Sequence, residues 1–424
     1  MNDEVDREVF GPLADIPQRS LITLAARIRE RLFHTRSEKG QLLGRIVGSY
    51  NIVHIIQLDN DFRLVIRVPV TGWGSGKTET AARALESQVA TMRLIAQKTS
   101  IPVPQVYDFD TTDRNEIQAP YMCISFVSGM PVSQAWFREP ATMSRHELRL
   151  NILRSLSQVM AQFSCFSFDK IGSIPGDGAG SHSLAPCYSW GRSDDGTLRV
   201  MSSGPFDTTS AYLAHHYKED VEDAYGKAAL AVMKSVMPAS VNYDSSGEFV
   251  LCPPDFDSQN VMVDQHGNVT GLLDWDHAHT MPRPMGYARF PSWITRDWSP
   301  QMYSWPGMSD IEDSPKDLEI CRVLYTLELG KSLGWQGDWR FTQNSHMTEA
   351  VWVAAHHRRD RIEICRKLIE EALNIDTDTA LGFLYDIGAG YYDDADWREL
   401  DVKLKRMVVL NPTSDIKGLT SNTI

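Results

Sequence analysis

The stretch "LCPPDFDSQNVMVDQHGNVTGLLDWDHA", Leu251 to Ala278, sets Asp255 five residues before Asn260, and Asn260 fourteen residues before Asp274. Pro253 and Pro254 keep the backbone leading into Asp255 out of a helix, because proline fixes φ and restricts the residue before it. The residues after Asn260 read as a hairpin. Val261 and Val263, then Val269, Leu272 and Leu273, supply two short apolar strands, and "DQHGN" between them is a polar, glycine-containing turn. Asn260 and Asp274 stand at the two ends of that hairpin, where they come back together near Asp255. Three oxygen-bearing side chains then converge.

Such a convergence suits a nucleotide held with Mg²⁺, which takes hard oxygen ligands and is usually bound by only one or two carboxylates, with phosphates and waters completing its octahedron. The remaining carboxylate is left to orient a hydroxyl and take its proton. Residue types alone also allow a plainer arrangement: a turn-forming aspartate, a turn-capping asparagine and an exposed aspartate on a β-hairpin.

At 424 residues, 42% hydrophobic and 23% charged, the composition is globular, with enough chain for two or three domain-sized units. Lys and Arg number 42 against 55 Asp and Glu, a net charge of −13, which argues against a nucleic-acid backbone as the main partner. A neutral or cationic ligand is easier to accommodate. The opening "MNDEVDREVFGPL" has acids where a secretory signal needs a basic start and an apolar run, and no apolar segment approaches the roughly 18 residues of a membrane span. The six cysteines, Cys123, Cys165, Cys187, Cys252, Cys321 and Cys365, form no CxxC pair and are expected to be reduced and mostly buried. The expected location is cytoplasmic, without nucleic-acid or membrane partners. Oligomeric state is not legible.

Earlier in the chain, "LLGRIVGSYNIVHIIQLDNDFRLVIRVP" reads as two strands about a glycine turn and then a third strand, with Gly44 and Gly48 allowing close approach of backbone to a phosphate. Arg67 is a cation in an otherwise apolar strand; alone, it reads as an edge arginine facing solvent. "TGWGSGKT", Thr71 to Thr78, resembles a phosphate-binding P-loop, but its first glycine falls one residue late, and a flexible loop is expected there. Thr80 to Lys98 has Leu85, Val89, Met92 and Ala96 at helical spacing, with Gln88 on the same stripe and in need of a partner. "SIPVPQVYDF" and "APYMCISFVSGMPV" each supply a strand. Helices dominate after Gly129, a composition shift that marks a boundary between two lobes.

These stretches together resemble the aminoglycoside phosphotransferase and choline kinase family of small-molecule kinases, in its fungal branch. The resemblance rests on "GSYNIV" from Gly48, "LVIRVP" from Leu64, "SQVATMRLIAQKTSIPVPQVY" from Ser87, "MCISFVSG" from Met122, "IGSI" from Ile171, "GPFDTT" from Gly204, "PPDFDSQNVMVD", "GLLDWDHA" and "GYARFPSW" from Gly286, taken in order and spacing. It implies an α+β, bilobal, protein-kinase-like fold with a small β-rich N-terminal lobe and a larger, mainly helical C-terminal lobe. The expected divisions are a helical extension over 1–40, the first lobe over 41–129, the second over 130–410 and a disordered tail over 411–424.

The resemblance implies Asp255 as the catalytic base and Asn260 and Asp274 as Mg²⁺ ligands. Gly48 and Ser49 belong to the phosphate loop, Arg67 contacts the α and β phosphates, and Gln88 pairs with Arg67. Ser125, Phe126 and Val127 offer backbone to the adenine. Asp276 is taken as a neighbouring carboxylate outside the metal ligands, and His277 and His279 as too weakly supported for a zinc site. The cofactors implied are Mg²⁺ and ATP or GTP, and the acceptor is a hydroxyl of a small molecule, an amine-bearing one being compatible with the net charge.

Three positions depart from the family pattern. Pro253 and Pro254 stand where the family has His and Gly before the aspartate, Arg67 replaces a lysine, and Gln88 replaces a glutamate. Arginine keeps the charge and adds bidentate phosphate geometry; glutamine turns an ion pair into a neutral hydrogen bond. The departures also motivate a second reading, a nucleotide- or ligand-binding scaffold without transfer activity. HRD, DFG and APE are absent, which argues against a protein kinase. Tyr287, Trp293, Trp298 and Trp305 either pack in the core or, as a group, wall an acceptor pocket.

Overall fold

The computed structural model describes residues 3–408 except 38, 60, 177–182, 195, 218–222, 242–247, 301 and 309, so the expected tail over 411–424 lies outside the described residues. The chain forms two compact units that interleave along the sequence. The first takes Met1–Pro140, Phe168–Pro205 and Leu251–Thr280, and the second Ala141–Ser167, Phe206–Val250 and Met281–Ile424. This is the bilobal α+β class expected, β-rich in the first unit and mainly helical in the second.

In chain order the elements are α1 (Asp3–Phe10), α2 (Gln18–Phe33), β1 (Gly40–Val47), β2 (Asn51–Leu58), β3 (Arg63–Pro69), α3 (Glu79–Lys98), β4 (Val106–Asp110), β5 (Tyr121–Ser125), β6 (Met130–Pro131) and α4 (Val132–Ala135). After α5 (Arg145–Ala161) come the hairpin β7 (Cys187–Arg192) and β8 (Leu198–Ser203), then α6 (Thr209–His216), α7 (Ala224–Val241) and β9 (Phe249–Leu251). The hairpin β10 (Val261–Val263) and β11 (Val269–Leu272) and the short β12 (Thr280–Pro282) precede α8 (Pro315–Ser332), α9 (Trp339–Thr342), α10 (Ser345–His356), α11 (Arg358–Leu373), α12 (Thr377–Ala389) and α13 (Asp394–Val408).

The first unit is organised by an antiparallel sheet in the order β1-β2-β3-β5-β4. Alternation in β2 buries Ile52, Ile56 and Leu58, and in β3 Leu64, Ile66 and Val68, and this face packs against Leu21, Leu24, Ala25 and Ile28, spaced on one stripe of α2. Each such buried aliphatic contributes roughly 1.5–3 kcal/mol relative to exposure. Because side chains alternate along a strand, Arg67 points to the opposite face from Ile66 and Val68, and its ladder partner Val53 points with it. Arg67 is 9% exposed, not the solvent-facing edge cation that its strand alone implied.

Helix α3 starts one residue earlier than expected. Thr78 caps it by accepting from the Ala81 N–H, and its buried face is Ala84, Gln88, Val89, Met92 and Ile95, while Ala96 is exposed. The segment "TGWGSGKT" is not a flexible loop: it forms two short 3-10 turns with Val70, Thr71, Gly72 and Gly76 buried, and Lys77 pairs with Asp113 at 2.5 Å. A second sheet of order β11-β10-β6 carries the expected hairpin. In the second unit, α7, α10, α11, α12 and α13 share one core that includes Val232, Met233, Val351, Leu368, Leu384 and Leu404.

Candidate functional site

The residues expected at the nucleotide and the metal all lie within the first unit. The loop after Pro254 folds back on itself: Asn260 Nδ2 donates to Asp255 Oδ2 at 2.9 Å and to the Asp255 carbonyl at 3.2 Å, and the Asn260 N–H donates to the Asp257 carbonyl at 3.0 Å. The Leu273 N–H then donates to the Asn260 carbonyl at 2.7 Å, which fixes the loop to the end of β11. Asp274 comes next with φ +55°, a left-handed conformation that non-glycine residues rarely adopt. Asp255, Asn260 and Asp274 are thus brought together as the hairpin reading required.

Asp276, expected from sequence as a supporting or solvated carboxylate outside the metal ligands, is the hub of the cluster. Its Oδ1 accepts from Gln88 Nε2 at 2.5 Å and Arg67 Nη2 at 3.2 Å, and its Oδ2 from Asn51 Nδ2 at 2.7 Å. Arg67 Nη2 also donates to Asp274 Oδ1 at 2.9 Å. Gln88 therefore meets the expected cation through a shared carboxylate oxygen, not directly. Both side chains present N–H donors, and donors need an acceptor between them. The cluster borders a cavity of about 30 Å³, whose wall includes Asn51, Trp190 and His277.

The electrostatics follow from burial and neighbours. Burial raises the Asp255 carboxyl above the usual aspartate range, with Asp257 and Asp274 adding to it against the Asn260 and Gln259 hydrogen bonds. Burial also pushes Asp274 upward, but the charge and hydrogen bond of Arg67 outweigh it and hold this carboxyl below its usual value. For Asp276 burial and the Asp274 charge win over Arg67, and its carboxyl sits above the usual range. Desolvation and then His279 lower the His277 imidazole to about 4, so it is neutral near physiological pH.

Gly48 and Ser49 occupy the exposed turn between β1 and β2, closed by the Gly48 N–H donating to the Asn51 carbonyl at 2.9 Å. At the tip of that turn Tyr50 stacks flat on Trp190 of β7, with centroids 4.3 Å apart and planes 4° apart, and Trp190 in turn lies 4.5 Å from His277. The hairpin β7–β8, set on α3 through Tyr188, Val200 and Ala84, had no place in the sequence reading. Its signal was present in the short polar turn "RSDDGT" between "CYSW" and "LRVM", with Gly196 at φ +81°.

Ser125 keeps its N–H and hydroxyl within the sheet. Its N–H donates to the Gln105 carbonyl at 2.9 Å and its hydroxyl accepts from the Gln105 N–H at 2.9 Å, because the residue still belongs to the sheet. Phe126 and Val127 lie beyond the strand, with the Phe126 ring under Arg63 and the Val127 side chain so close to Gly271 that a Cβ there would stand 2.6 Å from it. At the next turn Gly129 has φ +127°, and a Cβ would come within 2.5 Å of the Val263 carbonyl oxygen.

The donor set suits a hard divalent cation. Asn260 spends its N–H₂ on Asp255, which leaves its carbonyl oxygen as an acceptor, and Asp274, 39% exposed at the side chain, presents a carboxylate. Among the described residues no group of three or more His, Cys, Asp or Glu side chains is arranged to hold a metal ion, so two protein ligands would need phosphate or water oxygens to complete the shell. His279 Nδ1 lies 2.9 Å from the His277 carbonyl. In the second unit, Tyr287 and Trp293 are buried and Trp305 is 37% exposed, while Trp298 lines a cavity of about 740 Å³ with Phe290, Asp297, Arg322 and His346. None of the six cysteines forms a disulfide, and Cys165 is exposed while the other five are buried. Among the described residues no helix is long and apolar enough to cross a membrane.

Residues 53–303, more than half of the chain, match the model of the phosphotransferase enzyme family. The Clavispora lusitaniae protein named "Altered inheritance of mitochondria protein 9, mitochondrial" is 19% identical over 80% of this chain and 62% of its own length. The Kluyveromyces lactis protein of the same name is 23% identical over 77% of this chain and 62% of its own. The chain thus spans less than two thirds of the length of these curated relatives. Among solved structures, a thermostable mutant of aminoglycoside phosphotransferase APH(4)-Ia, in ternary complex with AMP-PNP and hygromycin B, aligns over 91% of this chain and 98% of its own at 14% identity and a TM-score of 0.41. The amicoumacin kinase hAmiN, in complex with AMP-PNP, Ca²⁺ and Ami, aligns over 97% of this chain and 98% of its own at 10% identity and a TM-score of 0.41.

Proposed function

The chain belongs to the phosphotransferase enzyme family, and from that premise we propose that it transfers the γ-phosphoryl group of ATP or GTP to a hydroxyl of a small molecule. The observation that carries this reading is the Asp255–Asn260 hydrogen bond in the same unit as the Asp274–Arg67 pair. A general base, a pair of metal-type oxygen donors and a cation for phosphate are what phosphoryl transfer by positioning and electrostatics requires.

Asp255 is the base. It accepts the proton of the acceptor hydroxyl, and the amide of Asn260 holds one carboxylate oxygen so that the other faces the acceptor. Its carboxyl, raised by burial and then by Asp257 and Asp274, is a better proton acceptor than an exposed aspartate. Mg²⁺ bound at Asn260 and Asp274 would neutralise charge on the transferring phosphates. Arg67 supplies a second positive charge to the phosphates, Gly48 and Ser49 lie where the turn approaches them, and Phe126 and Val127 offer backbone to the base. One oxygen of Asp274 serves the guanidinium, which leaves the other as the one that would face the metal.

The test is nucleotide consumption with Mg²⁺ against pooled hydroxyl- and amine-bearing metabolites, with mass spectrometry detecting phosphate addition. Asp255→Asn is expected to leave nucleotide affinity nearly unchanged and to lower turnover by roughly 10²–10⁴. A protein that binds nucleotide, phosphorylates nothing and is indifferent to Asp255→Asn is a scaffold, and the enzyme reading fails. Product formation that survives Asp255→Asn undiminished removes the aspartate from its assigned role.

A further inference from the structure

Three side chains from three separate elements donate to one largely enclosed carboxylate. Asn51 opens β2 at the end of the phosphate turn, Arg67 lies in β3, and Gln88 lies in α3; each reaches Asp276, whose side chain is 16% exposed. Arg67 is itself 11% exposed at the side chain, and a buried guanidinium requires a fixed counter-charge. Its other partner, Asp274, is 39% exposed and is the carboxylate assigned to the metal, so its negative charge would be shared with that metal.

We propose that Asp276 is the permanent counter-ion of Arg67 and the positioning residue that holds the phosphate turn, the cation strand and α3 in register, and that residue 88 is neutral because the negative charge has been placed at 276. This rests on the phosphate role proposed for Arg67. The geometry carries it: Gln88 and Arg67 share Oδ1 of Asp276, at 2.5 and 3.2 Å. A glutamate at 88 would face that oxygen with a second negative charge, whereas glutamine faces it with an N–H. Moving the charge from 276 to 88 leaves Arg67 between an amide and a carboxylate, as it is now. The two positions are therefore exchangeable as a pair and not one at a time.

Four proteins decide it: the wild type, Asp276→Asn, Gln88→Glu and the double substitution. Each is measured for thermal unfolding midpoint without ligand, for MgATP and MgGTP affinity by calorimetry, and for KM and kcat where product forms. Asp276→Asn should weaken nucleotide binding roughly 10–100-fold, the size usual for a residue that orients a ligating group, with the loss in KM more than in kcat. Gln88→Glu should lower both affinity and midpoint, and the double substitution should recover both to within about tenfold in affinity of the wild type. Additive losses in the double variant, or an Asp276→Asn protein that binds nucleotide as the wild type does, overturn the proposal. If the wild type binds no nucleotide, the phosphotransferase reading fails while the unfolding midpoints still decide whether the two charges exchange. If Asp276→Asn does not fold, folding of the double variant supports the exchange, and failure of both overturns it.

Discussion

Replacing Arg67 by methionine removes a charge, keeps most of the side-chain length and leaves two carboxylates facing each other without their cation. The two differ in what they lose. Asp274 is 39% exposed, so water screens it and its share is at most about 1 kcal/mol. Asp276, 16% exposed, has no such relief, and breaking a buried pair by removing one partner costs about 3–5 kcal/mol. Asn51 and Gln88 still donate to Asp276 in the variant, which places the expected loss of unfolding free energy near the lower end, about 3 kcal/mol. The sign of its pH dependence is fixed by the Asp276 carboxyl, already held above its usual range by burial, then by Asp274. A carboxyl with a raised folded pKa favours the fold fully below its unfolded value and loses that contribution as pH rises through the folded one. Without Arg67 the shift grows, so the deficit is largest at neutral pH and shrinks on acidification toward the ordinary aspartate value near about 4. Urea unfolding followed by circular dichroism, at neutral pH and near about pH 5, measures it. A deficit below about 1 kcal/mol, or one that grows as pH falls, refutes the assignment of Asp276 as a buried counter-charge.

Nucleotide affinity should collapse on chelation of divalent metal, because Asn260 and Asp274 are assigned to the nucleotide only through Mg²⁺; calorimetry giving equal affinity with and without a chelator removes both from the metal site. Gly129→Ala should destabilise by about 2–4 kcal/mol, since φ +127° excludes a side chain and the new Cβ would stand 2.5 Å from the Val263 carbonyl oxygen. Chemical denaturation showing a loss under about 0.5 kcal/mol would mean the turn adapts. Trp190→Ala removes the flat stack on Tyr50, worth roughly 0.5–1.5 kcal/mol, and should weaken nucleotide binding about two- to twelvefold through a looser phosphate turn. Trp190→Phe should restore most of it, and an unchanged KM in Trp190→Ala would detach the stack from nucleotide binding.

The hairpin Val261–Leu272 and the convergence of Asp255 with Asn260 were legible because short-range pattern determines them: alternating valines, a glycine turn and side chains at the two ends of one motif. Helix α3 and the buried position of Gln88 followed from 3.6-residue spacing in the same way. The partner of Gln88 did not, because Asp276 lies 188 residues away, and its other donors Arg67 and Asn51 lie 209 and 225 away. Spacing tells that a polar residue faces inward; only tertiary pairing tells which charge it meets. That the Ser125 N–H is spent on Gln105 was hidden for a smaller reason, a strand that continues one residue further. Trp190 was missed because the two short strands of its hairpin mix apolar with polar residues and face α3 through Tyr188 and Val200, so neither strand shows a clear apolar alternation.

The interleaving of the two units has a consequence for synthesis. Arg67 and its sheet leave the ribosome early, but Asp274 and Asp276 belong to the third segment of the same unit, Leu251–Thr280, with two segments of the other unit made in between. During that interval the nascent sheet carries an arginine whose eventual counter-charges have not been translated, on a strand otherwise fit for burial. The contacts that complete the unit are non-local, and such contacts are closed slowly against chain entropy. A stop codon or proteolytic cut between residues 67 and 274 therefore strands a cation in the sheet and leaves a fragment exposed to aggregation and to cellular quality control.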